Sequence, residues 1–345
     1  MIDDLREKIR ELDEEIIELM IKRIETSEEI GRLKNDLGLA IRDKNVEKKV
    51  IERYRELSKG SLLDPASAET ICKVLIQNSV EAQAALPKVS ATKKKVCVIG
   101  GNGKMGKWIS DLLRNSGHTI HALDVGDDIQ KAAECDVVIV SVPISAVGDI
   151  LLNLDGICKK QLIFDISSLK SPFLEILEDM GTRRKICSIH PMFGPSAASM
   201  YDRNVIICDC GNADAVKEVK ELLGEHGENF KDMKASEHDK FMSYILGLSH
   251  AENIAFFTVL ERSGISFKDF EETASTTFRK SIEMNLSVAS EDPLLYYEIQ
   301  HLNDSSSSVW DEYLNAIEDL RDASMDDDPA NFEMLMKKGK KFFNE

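Results

Sequence analysis

At the centre of this 345-residue chain lies the sequence Val96-Cys-Val-Ile-Gly-Gly-Asn-Gly-Lys-Met-Gly106, which determines the architecture around it. An apolar run leads into Gly101, Gly103 and Gly106, which have the spacing G-x-G-x-x-G, and a helical pattern follows. In this context the glycines permit a tight turn and let the backbone approach a pyrophosphate at the helix N-terminus. The stretch therefore predicts a strand, a phosphate-binding turn and a helix, the first unit of a dinucleotide-binding domain.

An acidic residue at the end of the next apolar run indicates which dinucleotide is bound. Asp124 lies 18 residues after Gly106. A carboxylate there accepts a hydrogen bond from a ribose 2′-hydroxyl and repels a 2′-phosphate. Residues 125–128 contain no Arg that would hold such a phosphate. The sequence therefore favours NAD over NADP as the cofactor.

The region before the glycine turn has only helical periodicity. Apolar residues recur three or four positions apart through the first 34 residues, and Asp43 and Asp64 are suitable N-caps for two further helices. Residues 1–86 are thus predicted to form a three-helix domain, with a linker over residues 87–94. The first helix, about 50 Å long, cannot bury its apolar stripe alone. We therefore expect a homodimer or a higher homo-oligomer.

The pattern of apolar residues changes again after the glycine turn. Short apolar runs alternate with helical segments over residues 95–236, which predicts a parallel sheet with crossover helices. Residues 237–345 lack strand signals and are predicted to be helical, with breaks near Gly264, Pro293 and Pro329. The expected fold class is therefore multidomain: an all-α three-helix domain, an α/β Rossmann-like domain and an all-α C-terminal domain.

Composition and charge exclude several classes of protein. Hydrophobic residues make up 43% of the chain, which is enough for each domain to bury a core. The formal net charge of −17 argues against nucleic acid as a partner. The charged N-terminus is unlike a signal peptide and no apolar run suits a membrane span, so we expect a cytoplasmic protein without a membrane partner. Seven scattered cysteines favour reduced thiols in the core, and no metal site is expected.

Three histidines after the glycine turn are candidates for acid–base chemistry. His190 ends an apolar run, where open α/β sheets build their sites. His238 and His250 follow in the helical region. A neutral imidazole accepts a proton near pH 7, as an alcohol oxidation requires when hydride leaves. Of the three, His190 is the one that the sequence favours as the catalytic base.

Four motifs in residues 94–345 together resemble the prephenate dehydrogenase family. These are V-I-G-G-N-G-K-M-G from Val98, D-I-S-S-L-K from Asp165, H-P-M-F-G-P from His190, and H-D at His238 with His250 twelve residues on.

The resemblance implies roles for individual residues. His190 is implied to take the proton of the C4 hydroxyl of prephenate, with Ser168 beside the same hydroxyl. His250 is implied to line the substrate pocket. Arg279, which lies 13 residues before an Asp-Pro pair, is implied to bind a substrate carboxylate. NAD is the implied hydride acceptor, and loss of the ring carboxylate makes the product aromatic.

The basic residues of the predicted first helix are placed to hold a small anion. Arg23 and Lys34 are 11 residues apart, about 20° around the helix and about 16 Å along it, so their long side chains can converge. Arg6 lies on another face, about 25 Å from Arg23 along the axis, and contributes only if an antiparallel partner subunit delivers it. Two pairs at i, i+4 spacing share helix faces: Asp43 with Glu47, and Ser79 with Gln83.

This set resembles the all-helical chorismate mutase family over residues 2–86. The resemblance rests on L-R-E-K-I-x-x-L-D from Leu5, the position of Lys34, I-R-D from Ile41 and S-V-x-x-Q from Ser79. One position departs from the pattern, because Val46 stands where the family often has Arg.

The mutase resemblance also assigns roles. Arg6 of the partner subunit and Arg23 are implied to bind the substrate carboxylates. The donors to the breaking ether bond are implied to be Lys34 and Gln83, and Glu47 is implied to accept the ring hydroxyl. Asp43 and Ser79 are implied to lie nearby. A unimolecular rearrangement needs only a compact bound conformer and stabilised charge, so no nucleophile is required.

The two resemblances fit together because the product of chorismate rearrangement, prephenate, is the substrate of the dehydrogenase. They imply a bifunctional enzyme of tyrosine biosynthesis that converts chorismate to prephenate and then, with NAD, to 4-hydroxyphenylpyruvate. Three alternatives stay open at the level of sequence. Residues 1–86 form a non-catalytic dimerising or effector-binding module, as Val46 suggests; the dehydrogenase prefers arogenate; or the chain only senses NAD.

Overall fold

The computed structural model of the chain describes residues 1–37, 39, 41–84, 86, 92–224 and 228–344. The described N-terminal part folds into α1 (Ile2–Asp36), α2 (Lys44–Ser58) and α3 (Pro65–Ala84). The three predicted helices are therefore confirmed. Residues 87–91 of the predicted linker lie outside the described residues.

Side-chain caps explain where the second and third helices begin. Asp43 accepts hydrogen bonds from the N–H groups of Asn45 and Val46 at 2.9 and 3.2 Å. Asp64 accepts two equivalent bonds, both 3.0 Å long, at the start of α3. Both caps were predicted, because a short carboxylate satisfies N–H groups that a helix leaves without partners. A large part of the apolar stripe of α1, including Leu5, Ile9 and Leu12, remains exposed.

The central region forms a seven-stranded sheet in the order β2-β1-β3-β4-β5-β6-β7. The strands are β1 (Lys95–Ile99), β2 (Thr119–Leu123), β3 (Val137–Val140), β4 (Leu162–Asp165), β5 (Ile186–Pro191), β6 (Asn204–Asp209) and β7 (Asn229–Lys234). The helices of this region are α4 (Lys104–Asn115), α5 (Ile144–Ile157), α6 (Leu174–Gly181) and α7 (Ala213–Leu223).

The prediction of a parallel sheet is wrong at one edge. The β2-β1-β3-β4-β5 part is parallel, but β6 runs antiparallel to β5. The connection over residues 192–203 contains no helix, and parallel neighbours need such a crossover. Strand β7 was not predicted either, because its side chains are mostly exposed or half-buried and it lacks an apolar run.

The C-terminal region is helical, as predicted. It contains α8 (Ala235–Met242), a π-helical turn (Ser243–Leu248), α9 (Ser249–Arg262), α10 (Phe267–Thr273), α11 (Thr276–Ala289), α12 (Pro293–His301), α13 (Ser306–Met325) and α14 (Ala330–Phe342). Among the described residues, none of the helices combines the length and apolar character that crossing a bilayer requires. All seven cysteines are buried free thiols, as expected.

The chain divides into two compact units, each assembled from three separate stretches of sequence. The first comprises Met1–Val142, Asn153–Ile166 and Met180–Asp232, and therefore holds the N-terminal helices together with most of the sheet. The second comprises Pro143–Leu152, Ser167–Asp179 and Met233–Glu345. Within the first unit, Tyr201 from the β5–β6 connection packs among Ile41, Val80 and Ala84 of the helical region.

Candidate active sites

The glycine turn after β1 forms an anion-binding helix N-terminus in the first unit. The N–H of Gly103 donates to the carbonyl of Gly100 at 3.1 Å, and α4 begins at Lys104 without a side-chain cap. A Cβ atom at Gly106 would lie 2.1 Å from the oxygen of Gly100, so only glycine fits. Uncapped N–H groups and the helix dipole favour a phosphate at this point.

Asp124 follows β2 and is tied to the same turn. Its Oδ2 accepts a hydrogen bond from the N–H of Asn102 at 2.8 Å. The carboxylate is thus held beside the turn, with its second oxygen available to a ribose hydroxyl. The close backbone packing and the placed carboxylate fit a bound NAD, and the residues that would hold it are Gly101, Gly103, Gly106 and Asp124.

His190 lies at the carboxyl end of β5, at the same sheet edge as the glycine turn. The residue is buried and pairs in register with Ile206 of β6. The chain that follows is fastened to α4, because Trp108 donates from Nε1 to the carbonyl of Ala197 at 2.7 Å and packs against the ring of Phe193. The helix that begins at the glycine turn therefore also supports the segment after His190.

Hydrogen bonds connect the predicted mutase residues of the three N-terminal helices. Arg23 of α1 donates to the hydroxyl of Ser79 and to the carbonyl of Leu75 in α3. Gln83 donates from Nε2 to the carbonyl of Ser79 at 3.1 Å. The buried Oε1 of Gln83 has no hydrogen-bond partner among the described residues. This cluster therefore contains a cation, a hydroxyl that is already hydrogen-bonded on α3, and an amide whose oxygen has no partner among the described residues.

Two further predicted residues lie around the start of α2. Lys34 donates to the carbonyl of Ile41 at 2.5 Å, which ties the end of α1 to the turn before α2. The side chain of Glu47 is largely buried. Asp43, by contrast, uses its carboxylate as the cap of α2. Arg6 is exposed on α1 and pairs with Asp3 of its own turn, so its delivery to a second subunit stays a prediction.

Arg42 is a further residue of this region, and it was not predicted from the sequence. Its Nε and Nη2 donate to the two carboxylate oxygens of Glu47 at 2.7 and 3.1 Å. Its Nη1 donates to Oδ2 of Asp202, in the β5–β6 connection, at 2.7 Å. The hydrogen bond to Glu47 raises the pKa of Arg42 above its usual value. Its place in the I-R-D motif was the available signal, but sequence spacing alone does not show that Asp202 lies within reach.

Ser168 lies in the second unit, on a loop that Asp239 fastens. The carboxylate of Asp239 accepts hydrogen bonds from the N–H groups of Lys170 and Ser171 and from the hydroxyl of Ser171. Its Oδ1 also lies 2.6 Å from Nδ1 of His238. Burial opposes ionisation, but the bonds from His238 and Ser171 prevail and lower the pKa of Asp239. The H-D pair is therefore an anchor for the loop that carries Ser168.

His250 and Arg279 also belong to the second unit. The buried imidazole of His250 stacks on Tyr296 with ring centroids 4.0 Å apart. Its Nδ1 has no hydrogen-bond partner among the described residues, and burial lowers its pKa to about 4. His250 is thus neutral at physiological pH. Arg279 is exposed on α11, and its Nη2 donates to the carbonyl of Glu271 at 3.4 Å.

Three known family models match consecutive stretches of the chain. Residues 5–84 match chorismate mutase type II, residues 105–231 match the nucleotide-binding domain of prephenate dehydrogenase, and residues 234–338 match its dimerization domain.

Two curated relatives align along most of the chain. The T-protein of Enterobacter agglomerans is 25% identical over 90% of this chain and 84% of its own length. The T-protein of Haemophilus influenzae is 28% identical over 86% of this chain and 80% of its own length. A large part of the chain resembles in fold Aquifex aeolicus prephenate dehydrogenase in complex with hydroxyphenyl propionate and NAD+. The TM-score is 0.56 and the identity 19%, over 74% of this chain and 99% of the other.

Proposed function

Because this chain belongs to the family that joins a chorismate mutase domain to a prephenate dehydrogenase, we infer that it performs both steps with the residues of its own two sites. The observation that carries this inference is the hydrogen-bonded set of Arg23, Ser79 and Gln83 in the same chain as the glycine turn and His190. The T-proteins align with this chain along most of both lengths, which supports one organisation for the whole chain.

In the mutase step, the helical domain binds chorismate in its compact conformer. Arg23, with Arg6 of the partner subunit, holds the carboxylates, as guanidinium forks do. The amide of Gln83 and the ammonium of Lys34 donate to the ether oxygen as the C–O bond breaks. Such donors act by stabilising charge that develops in the transition state. Glu47 accepts the ring hydroxyl and thereby fixes the ring against the side chain.

In the dehydrogenase step, bound NAD would be the acceptor of the hydride from C4 of prephenate. His190 takes the proton of the C4 hydroxyl as general base. Ser168 donates to the same oxygen and orients it. The neutral imidazole of His250 lines the pocket, and Arg279 supplies the guanidinium for a carboxylate. Release of the ring carboxylate as carbon dioxide follows from aromatisation and needs no metal.

The expected assembly and location belong to the same proposal. We propose that the exposed apolar stripe of α1 is a contact surface between two copies of the chain. A second copy would cover this stripe and would place its Arg6 in the mutase site of the first. The match to a dimerization domain over residues 234–338 supports a homodimer or a higher homo-oligomer. We place the protein in the cytoplasm, without nucleic-acid partners, and divide it into residues 1–86, 87–94, 95–236 and 237–345.

A coupled assay tests the two activities separately. Purified protein receives chorismate and NAD, and both the loss of chorismate and the formation of NADH are followed. We expect chorismate to disappear first and NADH to follow. If chorismate persists while added prephenate yields NADH, the helical domain is a non-catalytic module. A faster reaction with arogenate than with prephenate would instead identify an arogenate dehydrogenase.

A further inference from the structure

An apolar residue, Val46, directly precedes the carboxylate Glu47 of the mutase region, and a cation, Arg42, lies against that carboxylate. Val46 is apolar and exposed. Arg42, four residues earlier, makes a two-pronged contact with Glu47 through Nε and Nη2, with distances of 2.7 and 3.1 Å. This geometry fixes the plane of the carboxylate, because the guanidinium is rigid and planar. Each Glu47 oxygen keeps a lone pair with which to accept a substrate hydroxyl.

The remaining nitrogen of the Arg42 guanidinium, Nη1, is hydrogen-bonded to a residue of the nucleotide-binding region. Nη1 of Arg42 donates to Oδ2 of Asp202 at 2.7 Å. Asp202 has a φ of 55°, a left-handed conformation that is uncommon outside glycine and persists where the surroundings enforce it. One cation therefore bridges a carboxylate of the helical region and a carboxylate of the β5–β6 connection.

Packing around the bridge is apolar and keeps its geometry. Tyr201 precedes Asp202 and is buried among Ile41, Val80 and Ala84. Val80 and Ala84 are the neighbours along α3 of Ser79 and Gln83, the residues that present polar groups to the mutase site. Burial raises the pKa of Tyr201 to about 12, so its phenol stays neutral beside Arg42.

We propose that Arg42 is a positioning residue for Glu47 in the mutase step and that Asp202, from the nucleotide-binding domain, holds Arg42 in that position. This proposal rests on the mutase function proposed above. The mutase site is then complete only when the β5–β6 connection is seated on the helical domain. The ion pair itself is half-exposed and contributes little to stability. Its effect is on the placement of the Glu47 carboxylate.

The test measures mutase kcat and KM in the full-length protein for the variants Arg42→Ala, Arg42→Lys, Asp202→Asn and the double variant Arg42→Ala/Asp202→Asn. We expect Arg42→Ala to lower mutase kcat/KM by about 10- to 100-fold, the range for a lost charge-assisted hydrogen bond. Asp202→Asn should lower it by about three- to tenfold, and should add nothing in the Arg42→Ala background. Arg42→Lys keeps the charge without the fork, so KM should recover toward the wild-type value while kcat stays low.

Two readouts separate positioning from general damage. Dehydrogenase turnover on added prephenate should stay within about twofold of wild type in every variant. The matched control is Asp232→Asn, which removes another exposed carboxylate of the first unit, paired with Lys220 at 2.5 Å, and should leave the mutase unchanged. Wild-type mutase kinetics in Asp202→Asn would overturn the role of Asp202, and wild-type kinetics in Arg42→Ala would overturn the whole proposal. Parallel loss of both activities would mean a purely structural role. Failure of the proposed function is distinct, because the wild-type protein would then lack mutase activity.

Discussion

Replacing Gly106 by alanine should greatly weaken NAD binding while leaving the helical domain active. The added Cβ would lie 2.1 Å from the carbonyl oxygen of Gly100 and 2.9 Å from the Cα of Gly101. Both neighbours are backbone atoms, so no side-chain rotation relieves the contact. The N-terminus of α4 and the turn must therefore separate by about 1 Å, since packed atoms do not tolerate such overlap.

The size of the effect follows from this displacement. The pyrophosphate is held by N–H groups of the turn and of the first turn of α4. A misplacement of about 1 Å costs on the order of 10²-fold in a reaction that depends on bound geometry. We therefore expect the dehydrogenase kcat/KM for NAD to fall by about 10²-fold or more, chiefly through KM. Mutase turnover should stay near the wild-type value.

The assay titrates NAD at saturating prephenate and follows NADH, with chorismate loss measured in parallel. Gly156→Ala is the matched control, because a Cβ at this exposed position in α5 meets no atom within 4 Å. That variant should behave as wild type. If Gly106→Ala binds NAD with wild-type affinity, the pyrophosphate does not lie at the N-terminus of α4. If both activities vanish together, the substitution disrupts the whole fold, which contradicts the prediction of a local effect on NAD binding.

Three further predictions address the other sites. Gln83→Glu should make mutase activity rise as pH falls, since only a protonated carboxyl donates to the ether oxygen; a flat pH profile would contradict this contact. His190→Asn should lower dehydrogenase turnover by about 10²–10⁴-fold and spare the mutase, and equal loss of both would show that the base is misassigned. Because His250 has a pKa of about 4 in the folded protein, the unfolded chain binds its proton first as pH falls below about 6.5. The free energy of unfolding should thus fall by up to roughly 3 kcal/mol as the pH is lowered from about 6.5 to about 4. The melting temperature of His250→Gln should therefore depend less on pH than that of the wild type. An identical pH dependence of the two proteins would refute the lowered pKa of His250.

The features predicted correctly from sequence are those that depend on neighbours along the chain. Asp43 and Asp64 cap their helices through N–H groups two and three residues away. The glycine turn is recognised from its own residues and the strand before it, although its N–H groups also bond to the end of β2 and to Asp124. These local interactions leave a pattern in the sequence, and the helices, the turn and five parallel strands followed from it.

The features that were missed depend on contacts between distant residues. The Arg42–Asp202 pair joins positions 160 residues apart, and no spacing rule reports it. The antiparallel direction of β6 depends on its pairing with β5 across a connection that contains no helix. The polar strand β7 is recognised only from its position at the edge of the sheet. The role of Asp239 as an anchor for the Ser168 loop was hidden for the same reason.

The seating of Tyr201 in the helical region has a consequence for recombination between relatives. A chimera that takes its first 86 residues from another mutase would keep every ligand-binding side chain of the donor. Its helices would nevertheless contact Tyr201 and Asp202 of this chain, which come from a different protein than the helices. The packing around Tyr201 and the Arg42–Asp202 pair are therefore kept in such a chimera only if residues 192–203 are exchanged together with the helices. For this chain, the segments that belong together at this contact are discontinuous in the sequence.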